Sequence, residues 1–172
     1  MVIHSKNGVE ITARCHGIAA AVAALSVASV ILDRELVAIG QDGHQDFTVI
    51  GRPGYAHQAW CFDVMERDGT SLLTLHLSER RFHLASALEG ASESLRISET
   101  FADPHTIFAA AGDTGLEGIV SKRSTPLYRS DTHCGWIKIK SRDWREETRE
   151  KLRFGFTVFR LSRRPSARSV DL

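Results

Sequence analysis

Short runs of alternating apolar and polar residues, separated by tight-turn signals, set the strongest limit on how this chain can fold. Asn7-Gly8, Asp42-Gly43 and Arg67-Asp68-Gly69 each follow such a run. Turns of that length join antiparallel neighbours, whereas successive parallel strands need a crossover of about a dozen residues or more. "VIHSKNG" reads as a strand entering a turn, residues 17 to 25 as an Ala-rich helix, and "SVIL" and "ELVAIG" as two short strands. Residues 47 to 58, with Gly51, Pro53 and Gly54, read as loop, and "AWCFDVM" as a strand running to the Arg67 turn. A helix is expected from Ser78, with Arg81 rather than a capping-box glutamate three places on, an apolar set of Phe82, Leu84, Ala85 and Leu88, and Gly90 as its stop. "LRISETF" reads as one strand, and Asp103-Pro104 opens another helix, with proline in its first turn. "EGIVSKR" and "GWIKIK" are strands flanking a loop, and "DWREETREKLRFGF" reads as a charged helix. The expected fold class is α+β, with antiparallel sheets and flanking helices, and not a doubly wound sheet.

The 172 residues are about one domain long, and 42% hydrophobic with 25% charged residues is a globular balance. A formal charge of +1 gives no global basic field for non-specific nucleic-acid binding. The sign is uneven, because Arg and Lys crowd the last third, and residues 157–172 read as a basic, disordered tail. Three widely spaced cysteines, Cys15, Cys61 and Cys134, form neither a disulfide framework nor a metal-binding pair and suit a reducing, cytoplasmic setting. The most apolar window, "IAAAVAALSVASVIL", is shorter than the roughly 20 residues a spanning helix needs, so no membrane role is expected.

Two strands carry unusual charges. Period-two alternation sends Lys138 and Lys140 of "WIKIK" to the same side, roughly 7 Å apart. Two ammonium groups so placed suit an anion such as a phosphate; the alternative is an edge strand defended by lysines. In "EGIVSKR", Glu117 stands at the strand start, where it could accept from a hydroxyl or a magnesium ion, and Gly118 permits close approach. Glu35 opens the run "ELVAIG" and is either a site acid or a solvent-facing carboxylate. Phe62 either stacks a purine or fills the core.

Taken in order, "HSKNGVEITAR", "ILDRELVA", "DGHQDF", "CFDVMERDG", "LSERR", "LEGIVSKR", "YRS" and "WIKIK" resemble the adenylation domain of ATP-dependent DNA ligases, most of all the ligase module of bacterial non-homologous end-joining enzymes and their stand-alone relatives. The resemblance spans roughly residues 3 to 145. It implies a nucleotidyltransferase (ATP-grasp-like) domain over residues 1–156, ATP and Mg2+ (or Mn2+) as cofactors, nicked or broken double-stranded DNA as substrate, and end-joining proteins as partners in repair and recombination. It further implies a nucleotide-binding set of Lys6, Glu35, Phe62, Glu117, Lys122, Lys138 and Lys140. Phe62 would stack on adenine, Glu117 and Glu35 would support the metal, and Lys138 and Lys140 would contact the α-phosphate. Lys6 stands where the family has an arginine in its "SRNG" segment.

The departures bear on activity. The family's nucleophilic lysine lies in a KxDG motif, which these residues do not contain, so the chain reads as incomplete at its N-terminus, with no certain catalytic residue and no self-adenylation expected. Arg34 replaces the glycine of the family's usual DGE. Alternatives are a non-catalytic nucleotide- or DNA-end-binding module, or a decayed gene fragment.

Overall fold

The computed structural model describes residues 1–5, 7–40, 49–50, 52, 54–113, 118–123, 127–128, 136–140 and 156–160, with backbone alone at 112, 113, 118, 123, 140 and 156–160. Two mainly antiparallel sheets carry the structure, and the class is α+β, as the turn spacing predicts.

The first sheet is built on a long pair, β1 (Val30–Ile39) and β2 (Ala56–Arg67), antiparallel from Val30↔Arg67 to Ile39↔Ala56. The two short strands expected here are one. The polar "DRE" segment continues the ladder, and the change of pattern is absorbed by register shifts at Ile31/Leu32 and Asp33/Arg34. β2 also starts at Ala56, inside the stretch read as loop. Asp68 and Gly69 take φ of 52° and 76°, turning the chain tightly into β3 (Thr70–Ser71).

α2 (Leu77–Ala87) then crosses to β4 (Leu95–Ile97), which lies parallel to β2. The helix starts one residue earlier than Ser78, and a glutamate does guard its start: the His76 N–H donates to Glu79 Oε2 at 2.8 Å. Its buried face is Leu77, Arg80, Leu84 and Ala87. Phe82, expected on the apolar face, is 75% exposed. The reason is Arg80, which occupies an inward position because Asp63 on β2 meets it. Together with α1 (His16–Ala23), these elements enclose the main core, centred on Ile18, Val22, Ala59, Cys61, Val64 and Leu84.

The second sheet runs in the order β5 (Thr100–Phe101), β8 (Phe156–Arg160), β6 (Gly118–Arg123), β7 (Trp136–Lys140). "LRISETF" is therefore two strands in two sheets rather than one, with Ser98 and Glu99 carrying the chain between them. β8 also corrects the expected tail, since the strand crosses the boundary placed at residue 156 and pairs with both β5 and β6. The charged helix expected over residues 143–156 lies outside the described residues, apart from Phe156, which opens β8. α3 (Pro104–Asp113) starts where Asp103-Pro104 predicts, with the Asp103 carboxylate accepting from the backbone N–H of His105 and Thr106. It packs Ile107 and Ala111 on Ile119 and Ile139. One face of the second sheet is thus apolar, which leaves the other for different work.

Candidate functional site

The β1–β2 ladder matches Asp33 to Asp63 and Arg34 to Cys61, so Phe62 is the extra residue of a β-bulge. A bulge re-aims its side chain, and this one is fixed from outside the strand. Arg81 Nη1 donates to the Phe62 carbonyl at 3.1 Å, while Nη2 donates to the Ser98 carbonyl at 2.6 Å. The Ser98 N–H donates in turn to the Cys61 carbonyl at 2.8 Å. Burial lowers the pKa of Arg81, and Asp63 opposes that shift.

From the other sheet, the antiparallel register sets Lys122 opposite Trp136, Val120 opposite Lys138 and Gly118 opposite Lys140. Alternation keeps Val120, Lys122, Trp136 and Lys138 on the face away from Ile119, Ile139 and α3. Lys122 is 2% exposed. Its Nζ lies 4.0 Å from the Phe62 ring centre and 3.2 Å from that of Trp136. The two rings meet edge to face, 5.9 Å apart at 80°, so the ammonium sits in a corner with an aromatic wall on each side.

Burial pulls the Lys122 pKa down to about 7, against the attraction of Asp33 and Asp63 and with the repulsion of Arg81 and Arg80. Burial likewise raises Asp33, and Lys122 pulls it back. Asp63 is already engaged: Arg80 Nε and Nη2 donate to its two oxygens at 2.8 Å each, and Arg80 Nη1 donates to the Leu75 carbonyl at 2.7 Å. Tyr128 lies against the same guanidinium, 5.6 Å from ring centre to Cζ.

Of the residues expected at the site, Phe62 and Lys122 are in direct contact, although they come from different sheets. Lys138 is exposed, one cross-strand pair along from Lys122 on the same face. Lys140 pairs with Gly118 at the backbone, and its side chain lies outside the described residues. Glu35 sits within β1 rather than at a strand start, half-buried and opposite Trp60. Lys6 and Glu117 lie outside the described residues. The expected set omitted Trp136, Asp33, Asp63, Arg80 and Arg81. An acid inside the apolar run "CFDVM" and an arginine at the 77/80/84 spacing were the available signals for the Asp63–Arg80 pair.

Cys15 and Cys61 are buried free thiols, and burial raises both pKa values, that of Cys61 to about 12, which makes them inert. Among the described residues, no group of three or more His, Cys, Asp or Glu side chains is arranged to hold a metal ion. No described helix is long and apolar enough to cross a membrane.

Residues 1–140 match the family model described as ATP dependent DNA ligase domain. The chain is 37% identical over 144 residues to the multifunctional non-homologous end joining protein LigD of Pseudomonas aeruginosa, a match covering 79% of this chain and 17% of that protein. A probable DNA ligase of Sorangium cellulosum is 34% identical over 134 residues, covering 69% of this chain and 25% of the relative. Among solved structures, mycobacterial DNA ligase D complexed with ATP and MES superposes with a TM-score of 0.67 at 26% identity, over 84% of this chain and 48% of that one. The ligase domain of M. tuberculosis LigD gives 0.66 at 26% identity, over 81% and 47%. The chain thus spans a quarter or less of these two curated relatives.

Proposed function

Because the chain belongs to the ATP-dependent DNA ligase family, we propose that its two sheets supply part of the adenylate-binding wall of an enzyme that seals breaks in DNA. The observation that carries this reading is the contact between Phe62 of the first sheet and Lys122 of the second, on the face where Lys138 also stands. An aromatic surface beside ammonium groups suits a nucleotide, with rings for the base and cations for the phosphates. In this reading Phe62 stacks on adenine, and Lys138 and Lys140 stabilise charge that develops on the α-phosphate. Lys6 would join the nucleotide-binding set in this reading.

Magnesium or manganese fits the donor chemistry, since a small hard cation takes one or two carboxylates together with substrate phosphates rather than a cage of protein ligands. Glu35 and Glu117 would hold it, and when bound it would offset phosphate charge. The basic C-terminal region (residues 157–172) would approach nicked or broken duplex DNA, end-joining proteins would be partners, and the setting would be the cytoplasm.

Self-adenylation needs a lysine nucleophile, and no KxDG occurs in these 172 residues. That observation favours a second reading, in which the polypeptide binds nucleotide or DNA ends without forming a covalent intermediate. One experiment addresses both. With α-labelled ATP and magnesium, the expected result is saturable binding that weakens at least tenfold in the Lys138→Ala/Lys140→Ala variant and leaves no label on denatured protein. Label surviving denaturation would overturn the second reading, and the absence of saturable ATP binding would overturn both.

A further inference from the structure

Lys122 occupies one face of Phe62, a face on which a base would stack. Its Nζ is 4.0 Å from the Phe62 ring centre, while stacked rings sit about 4.5 to 7 Å apart between centres. A base laid on that face of Phe62 would overlap the volume of the ammonium. Trp136 lies on the other side of the same nitrogen, 3.2 Å away, so a base on this face of Phe62 displaces the ammonium.

We propose that Lys122 competes with the adenine base for the aromatic corner formed by Phe62 and Trp136, so that the base enters only as the ammonium leaves. The proposal rests on the adenylate-site reading and assigns to Lys122 a positioning role that a fixed phosphate contact would not have. Lysine suits it, because its charge sits at the end of a flexible four-carbon stem, whereas an arginine fork such as that of Arg80 is held by its geometry. The charged groups around Lys122 are Asp33 on β1, Asp63 on β2, and Arg80 and Arg81 on α2. Asp63 is bound by Arg80 at both oxygens, which ties that carboxylate to the helix. The role is also pH-sensitive: below about pH 7 the side chain is an ammonium and grips the rings, and above it the amine competes less.

Adenosine separates this role from phosphate binding, because it carries the base alone. Calorimetric titration of the 172-residue chain with adenosine is expected to show binding at least threefold tighter in Lys122→Met than in wild type, with Lys122→Arg no tighter than wild type. In wild type, affinity is expected to rise between pH 6 and 8.5, and in Lys122→Met to stay level; the wild-type profile needs no variant to fold. Equal or weaker adenosine binding by a cooperatively melting Lys122→Met, or a flat wild-type profile, would overturn the competition while leaving the adenine site standing. Failure of both wild type and Lys122→Met to bind adenosine would overturn the adenine site and the competition with it.

Discussion

Arg80 and Lys122 are both cations buried to nearly the same degree, 1% and 2% exposed, yet the chain treats them in opposite ways. Arg80 lies inside the first sheet's layer, with two hydrogen bonds to Asp63 and one to a backbone carbonyl. Lys122 lies where the two sheets meet, against the faces of two rings, with its pKa drawn down to about 7. A bidentate pair fixes geometry. A desolvated lysine near neutrality keeps its charge adjustable. The difference separates a cation that holds the domain together from one suited to respond to a ligand.

The comparison breaks most visibly at Arg80. Arg80→Met is expected to cost about 3–5 kcal/mol in urea unfolding, because it strands a buried carboxylate. The Asp63→Leu/Arg80→Met pair should cost less than that single change, and a larger loss in the pair would mean that the ion pair is not the operative unit.

Arg81→Met tests the bulge. Removing hydrogen bonds from a charged donor to the Phe62 and Ser98 carbonyls is expected to cost about 1.5–3 kcal/mol and to weaken adenosine binding as Phe62 loses its setting. Unchanged adenosine affinity would separate the clamp from the site.

Lys122 should reveal itself through pH. Its folded pKa, about 7, lies below the ordinary value of 10.5, so between these values the unfolded chain binds more protons and stability rises with pH. The burial penalty is fully present below about pH 7 and is relieved above it. The expected gain from pH 7 to 8.5 is about 1 kcal/mol per pH unit, and Lys122→Met should flatten it. The window stops short of pH 9, where Cys61, held protonated by burial, begins to contribute with the opposite sign. The smallest effect is at the start of α2, where Glu79→Ala is expected to cost about 0.5–1 kcal/mol in thermal unfolding through loss of the capping contact.

The parts legible in the sequence were those governed by local rules. The Asp68-Gly69 turn, the cap at Asp103 and the strands "GIVSKR" and "WIKIK" follow from turn chemistry and alternation, and ordered motifs pointed to Phe62 and Lys122. What escaped depended on contacts between distant segments. A helical wheel sets Arg80 beside Leu77 and Leu84 but cannot show what meets its charge there, because the partner, Asp63, lies 17 residues away. The division of "LRISETF" between two sheets was hidden for a similar reason, since alternation does not say which partner a strand will find. Trp136 carries no signal of its own, because its contact with Lys122 arises only from register.

The central claim is that Phe62 and the cations facing it form one nucleotide site across the two sheets, and binding of ATP and adenosine to Phe62→Ala tests it most directly. Loss of a stacking ring is worth about 1–3 kcal/mol per base, so both ligands should bind about fivefold or more weakly while the variant still unfolds cooperatively. Wild-type affinity for both ligands in Phe62→Ala would contradict the claim.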